Sequence, residues 1–184
     1  MHILVTRRLT LRPLLEVDAD GLAEGLSDLN VSRNLGPVPH PYTLDDALEH
    51  VRRPRRDGEM RYTVHRASLI GAVAASRQDD GNWHYGYWLG RAHWGQGYGT
   101  EAVPAFLTHL FAVADIDRLV SYVFADNPAS LAIQKRLGAE VVGETARTSR
   151  ARGCKVPGFD TVLTRAAFEK RFPPTGHSGS RQAA

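Results

Sequence analysis

This sequence predicts a single α/β domain built on a mixed β-sheet, and three observations carry the prediction. The chain has 184 residues, enough for one ordinary domain and too few for two. Runs with period-2 alternation are interleaved with stretches whose apolar residues recur at helical spacing. Several strand-like runs follow one another with no helix between them, so the sheet is not wholly parallel. No repeat or domain boundary interrupts the pattern. The domain is expected over residues 1–172, and the composition of 173–184 predicts a disordered tail.

The elements follow in order. Residues 8 to 15, RLTLRPLL, alternate Leu9 and Leu11 with Thr10 and Arg12 as a half-buried strand does. Asp18 is placed to cap a helix carrying Ala19, Leu22, Ala23 and Leu26 on one face. A loop of turn formers (Asn34, Gly36, Pro37, Pro39, Pro41) leads to a second helix. There Thr43 and Asp46 have capping-box spacing, and Leu44, Ala47, Leu48 and Val51 form a stripe. Strands are predicted near 60–66 and 69–76, a turn at DDGN (79–82), and an aromatic strand from Trp83. A helix over about 99–113 and a strand over 118–124 come next. Asn127-Pro128 then starts a helix that Gly138 ends. Residues 140–145 and 158–165 are expected to pair as strands around a long basic loop.

Composition excludes several classes. With 42% hydrophobic and 23% charged residues the chain reads as soluble and globular. No apolar stretch approaches the roughly 20 residues of a membrane span, and MHILVTRRLT lacks the form of a secretory signal. The lone Cys154 fits a reducing cytoplasm, and its loop offers no paired base. A net charge of +3 is too mild to argue for nucleic acid. RRPRR at 52–56 lacks interleaved aromatics and reads as a solvated basic turn. No histidine or cysteine spacing matches a metal site, so no metal is expected.

The segment HWGQGYGTEA (93–102) places Gly95, Gly97 and Gly99 between a strand and a helix start. Unpaired N–H groups there, with the helix dipole behind them, make a natural anion site that glycine lets a phosphate approach. A tight loop that merely needs positive φ is the other reading. The nucleotide P-loop fails, because the segment has no lysine. The dinucleotide fingerprint fails as well: Thr100 stands where the third glycine belongs, and Leu119 to Ser121 hold no acid.

GYWLGRAHWGQGYGTEA (86–102) followed by ADNPASLAIQKRLGAEVVGE (125–144) resembles the GNAT superfamily of acetyl-CoA-dependent N-acetyltransferases. More narrowly the chain is similar to the branch containing ribosomal-protein N-terminal acetyltransferases. TRRLTLRPL near the start and GFDTVLT near the end extend the likeness over roughly 6 to 172. The resemblance implies a mixed, mostly antiparallel sheet with a splayed central strand pair and flanking helices. It implies that Trp94, Gly95, Gln96, Gly97, Tyr98, Gly99 and Thr100 cradle the coenzyme A pyrophosphate. Trp94 stands where the superfamily loop has Gln or Arg, so one side-chain contact is expected to be lost. Pantetheine is expected to pair with the backbone of Trp88 and Leu89, and Asn127 matches the residue that bonds its arm; a plain N-cap is the alternative.

Acetyl transfer to an amine needs a neutral amine, a donor to the oxyanion and a proton for the departing thiolate. Many superfamily members supply that proton from a tyrosine seven residues after the asparagine, which here is Gln134. The ribosomal-protein branch has a serine three residues after it, which makes Ser130 the candidate donor. His84 stands where that branch often carries a carboxylate and is the candidate base. Glu101 is a second candidate, although the helix dipole alone favours an acid there. Arg147, Arg150, Arg152 and Lys155 fall, by the resemblance, beside the acceptor. The expected function is acetyl transfer from acetyl-CoA to a primary amine of a protein N-terminus or small molecule. The alternative is a non-catalytic acyl-CoA sensor. The expected protein is cytoplasmic, a monomer or homodimer, with an amine-bearing acceptor as its partner.

Overall fold

The computed structural model describes residues 2–174, so the last ten residues of the expected tail lie outside the described part. Eight strands form one sheet: β1 (Leu4–Val5), β2 (Thr10–Pro13), β3 (Met60–His65), β4 (Leu69–Arg77), β5 (Trp83–Leu89), β6 (Arg118–Phe124), β7 (Glu140–Ser149) and β8 (Cys154–Thr164). Their spatial order is β1-β2-β3-β4-β5-β6-β8-β7. Every neighbouring pair is antiparallel except β5–β6, which is parallel. The sheet is therefore mixed and mostly antiparallel, as the resemblance implied.

Helices cover both faces. On one side lie α1 (Ala19–Ser27), α2 (Leu29–Ser32) and α3 (Leu44–Arg52). Their apolar stripes bury Ala19, Leu22, Leu26, Val31 and Ala47 against Leu14 and Tyr42. On the other side lie α4 (Tyr98–Val113), α5 (Pro128–Leu137) and α6 (Arg165–Arg171). There Phe106, Leu107 and Leu110 of α4 pack with Leu11, Val64, Val73, Leu119, Leu163 and Phe168 in the main core. Alternation along β5 divides the layers. Tyr85 packs in the main core beside Tyr87 and Leu89, whereas Trp88 packs with α1. A Cβ on Gly25 would lie 2.5 Å from the Trp88 ring, so this glycine lets α1 seat on the sheet.

Local signals account for the helix ends. Thr43 Oγ1 accepts from the Asp46 amide while the Asp46 carboxylate accepts from Thr43, a capping box. At α5, Asn127 caps, Pro128 opens, and Gly138 at φ +103° closes the helix. Two expectations need correction. Asp18 does not cap α1: its buried carboxylate takes both Arg12 Nη atoms, at 2.8 and 2.6 Å, and the Leu15 amide at 2.9 Å. The long basic loop is a four-residue turn, 150–153, because β7 and β8 stay paired out to Ser149↔Cys154. Arg147 and Lys155 are strand residues, and β8 gives way to α6 at Arg165, where Thr164 Oγ1 accepts from the Ala167 amide. The five residues of the RRPRR segment, which begins at the last residue of α3, are all exposed as expected, with Arg53 paired to Glu59 at 2.6 Å and Arg55 bonded to the Leu14 carbonyl.

Candidate active site

The parallel strands β5 and β6 pair at a single register, His84↔Val120, and then diverge. The opening between them is a cavity of about 1520 Å³ that runs through both layers. Its walls include Tyr87, Leu89, Gly97 and Ser130 on the α4–α5 side, and His84, Gly86, Tyr42 and Val38 on the α1–α3 side. Ala72, Ala74 and Ser76 of β4 keep its floor low. A Cβ on Gly86 would meet nothing within 4 Å, so that position opens directly onto the space.

The glycine segment lies at one end. Gly95 and Gly97 adopt φ +72° and +78°, left-handed values that L side chains resist. They turn the chain so that α4 begins at Tyr98 with no side-chain cap on its first amides. An uncapped helix start opening onto a cavity suits a phosphate-bearing arm. Gly99 is small for a different reason: a Cβ there would lie 2.9 Å from Ile133 Cδ1, so it permits α4 to touch α5. Trp94, at the position where a side-chain contact was expected to be lost, ties the loop to the strand: its Nε1 donates to the Leu89 carbonyl at 2.7 Å. The Arg91 guanidinium sits 4.7 Å from the Trp94 ring, and Gln96 Nε2 donates to the Ala92 carbonyl. Thr100 Oγ1 donates to the Gly97 carbonyl, closing the first turn.

Hydroxyls gather where β5 leaves β6. Asn127 Oδ1 accepts from the Ser130 amide at 3.1 Å, and the Ser130 hydroxyl lies 3.0 Å from the Tyr87 hydroxyl. Burial pushes the Tyr87 phenol up to about 12, partly offset by its bond to Ser130. Gln134 is 1% exposed and fully engaged below this point. Its Oε1 accepts from the Tyr85 hydroxyl, and its Nε2 donates to Ser121 Oγ at 3.1 Å. It joins β5, β6 and α5 across the base of the split.

Toward the opposite mouth, His84 is half-buried, and burial lowers its pKa against the opposing pull of Asp80. Its Nε2 is buried without a hydrogen bond, 3.6 Å from Asp80 Oδ2. Burial, with Asp46 and Glu49 adding to it, pushes the Tyr42 phenol up to about 12. A strap crosses this mouth. The Arg150 amide donates to the Gly36 carbonyl at 3.0 Å, and Arg152 Nε donates to the Arg33 carbonyl at 2.9 Å. Asp126 then binds Arg33 at 3.0 Å and Arg152 at 2.7 and 3.0 Å. Arg147 and Arg150 line the cavity, and Arg147 also pairs with Asp160 at 2.5 Å.

Glu101 is turned elsewhere. Its carboxylate accepts from the Thr6 hydroxyl at 2.7 Å, the Arg8 amide at 2.8 Å and Arg8 Nε at 2.6 Å. Burial alone would raise its pKa, but these bonds hold it below the usual range. It fastens the N-terminal segment to α4.

The family model for the acetyltransferase (GNAT) domain matches residues 8–140. The chain belongs to the GNAT family of acetyltransferases. It is an acetyl-CoA-dependent acyltransferase. Among curated relatives, an uncharacterized N-acetyltransferase of Bacillus licheniformis, p20, is 28% identical over 161 residues, 83% of this chain and 90% of its own. Solved structures share the fold. A ribosomal L7/L12 alpha-N-protein acetyltransferase in complex with coenzyme A has TM-score 0.77 and 22% identity, covering 90% of this chain and 99% of its own. The spermidine N-acetyltransferase of Vibrio cholerae, in complex with CoA and spermine, has TM-score 0.76 and 18% identity, covering 89% and 99%.

In this GNAT acetyltransferase the sequence-selected residues converge except for two, Gln96 and Glu101. Trp94, Gly95, Gly97, Tyr98, Gly99, Thr100, Trp88, Leu89, Asn127, Ser130 and His84 border the split between β5 and β6, whereas Gln96 turns back onto the Ala92 carbonyl and Glu101 onto Thr6 and Arg8. Tyr87 and the Asp126 strap were not foreseen. Alternation did separate Tyr87 from His84, but no local pattern says that its hydroxyl reaches Ser130.

Proposed function

We propose that the protein transfers an acetyl group from acetyl-CoA to a primary amine by direct attack in a ternary complex. The observation that carries this is the through-going cavity, with an uncapped glycine-rich helix start at one end and His84 toward the other. Amides of the 95–100 segment hold the pyrophosphate, and the pantetheine arm lies along the parted edge of β5 at Trp88 and Leu89. Asn127 Oδ1 is committed to the Ser130 amide, which leaves Asn127 Nδ2 to donate to the arm.

His84 accepts the proton of the attacking amine. Its lowered pKa keeps the imidazole neutral near pH 7, the form that accepts a proton. Ser130 donates to the thiolate as the thioester bond breaks. Glu101 takes no part, because Thr6 and Arg8 already occupy its oxygens. Ribosomal L7/L12 and spermine, bound or acted on by the two structural neighbours, mark the range of acceptors to try: a protein α-amine or a small amine.

The test is thiol release from acetyl-CoA with terminal-amine peptides, polyamines and aminoglycosides as acceptors. Turnover with one class is the expected result. Tight acetyl-CoA binding with no turnover in any class refutes the proposal in favour of an acyl-CoA sensor.

A further inference from the structure

We infer that Tyr87 is a positioning residue for acetyl transfer, setting the Ser130 hydroxyl so that its proton faces the departing thiolate. The inference rests on the donor role proposed for Ser130.

A serine in a helix turn ordinarily turns its proton back onto a nearby backbone carbonyl, where it serves no ligand. Ser130 sits in the first turn of α5, with its amide fixed by Asn127 Oδ1 at 3.1 Å. The Tyr87 hydroxyl lies 3.0 Å from Ser130 Oγ and 3.2 Å from the Ser130 carbonyl oxygen. Two arrangements of the same heavy atoms are therefore available. In one, Tyr87 donates to the carbonyl and receives the Ser130 proton, so nothing is left to donate into the cavity. In the other, Tyr87 donates to Ser130 Oγ, and the Ser130 proton is free to point at a third atom.

A negative charge growing on sulfur selects the second arrangement. The phenol need only swing its hydrogen between two acceptors whose distances differ by 0.2 Å. The product is a chain in which Tyr87 donates to Ser130 and Ser130 donates to sulfur, each bond polarising the next. The heavy atoms of this chain are in place before the reaction, so only hydroxyl hydrogens turn during it. Burial keeps the phenol protonated well into the alkaline range, so it acts here as a donor.

The placement follows from topology. Tyr87 lies three residues beyond the single β5–β6 pairing at His84, where β5 has no strand beside it on that edge. Its side chain leaves the sheet on the α4–α5 face, and its hydroxyl ends at Ser130 of α5. Gln134, one turn further along α5, is buried and committed to Tyr85 and Ser121, so it is not a competing donor.

The experiment is a double-mutant cycle of Tyr87→Phe and Ser130→Ala, using acetyl-CoA and the acceptor that gives the fastest thiol release. Tyr87→Phe keeps the ring and removes only the hydroxyl. It is expected to lower kcat roughly 5-fold, the loss of one hydrogen bond, with KM for acetyl-CoA and the melting temperature nearly unchanged. In the Ser130→Ala background the same change is expected to cost less than 2-fold, because the hydroxyl it orients is gone. An equal fall in both backgrounds, or a wild-type kcat for Tyr87→Phe beside an impaired Ser130→Ala, overturns the role of Tyr87 while leaving Ser130 as donor. Wild-type turnover of Ser130→Ala overturns both.

Discussion

Gly97→Val isolates what the glycine segment does. Gly97 is left-handed at φ +78°, and a Cβ there meets Arg8 Nη2 at 3.4 Å, so the new side chain is both strained and crowded. A left-handed L residue costs about 1–2 kcal/mol. In a domain of this size that lowers Tm by roughly 2–8 °C. Gly81→Val provides the matched control: φ is +80°, nothing lies within 4 Å, and the position is in the β4–β5 turn. Its strain is the same, and the whole length of β5 separates it from the glycine segment. Acetyl-CoA at about 100 times its Kd stabilises the folded state by ~2.7 kcal/mol, a shift of roughly 5–11 °C. Each amide withheld from a charged oxygen forfeits about 1.5–3 kcal/mol. Losing two therefore reduces the shift to below about 1 °C. Differential scanning fluorimetry with and without acetyl-CoA should show similar unliganded losses in both variants. The acetyl-CoA shift should vanish only in Gly97→Val. A full acetyl-CoA shift in Gly97→Val would show that the loop does not bind the pyrophosphate, and a larger wild-type shift with NAD would show that it binds another nucleotide.

Turnover at saturating acetyl-CoA should rise with pH through an ionisation below 6.5, since burial lowers the His84 pKa, and that limb should flatten in His84→Ala; an unaltered profile in His84→Asn removes His84 from the mechanism. Gln134→Leu keeps the volume but strands the Tyr85 and Ser121 hydroxyls, at about 1–3 kcal/mol each, so Tm should fall by roughly 4–24 °C; a wild-type melt would mean that the network carries no stability. His65, His84 and His109 all have pKa values lowered by burial, so the unfolded chain binds more protons than the native one as pH falls through 6.5. Above that pH the three are neutral in both states and have no effect; below it their suppressed protonation destabilises the native state. Melting at pH 7.5 and 5.5 should show the lower Tm at 5.5, with the difference reduced in a variant carrying His65→Gln and His109→Gln.

What could be read beforehand depended on the range of the interaction. The capping box at Thr43 and the Asn127-Pro128 start with Gly138 at the end are completed within a few residues, so their letters suffice. The split in the sheet came from the resemblance, since no periodicity marks a strand that parts from its neighbour. Asp18 had the letter and place of a cap, but Arg12 holds its carboxylate. β7 and β8 outran their expected ends because Arg147 and Lys155 are charges on a paired hairpin, where alternation of apolar residues is absent. At the site, Gly97 was legible from its type and Gly99 only in part, since its packing partner Ile133 is in another helix. The Arg33–Asp126 bond spans 93 residues, and nothing in either segment announces it.

That strap changes the mechanics of an open sheet. Across the split the backbone pairs only once, and on that side the α4 core and Gln134 also bind the halves. Here the half bearing α1–α3 and the half ending in the β7–β8 hairpin are also fastened at the far corner, through Arg33, Gly36, Asp126, Arg150 and Arg152. The result is a window frame, its width set before anything enters. Substrates then spend little of their binding energy on drawing the halves together, and Asp126→Ala would remove the two ion pairs of the frame while the Arg150–Gly36 and Arg152–Arg33 bonds remain.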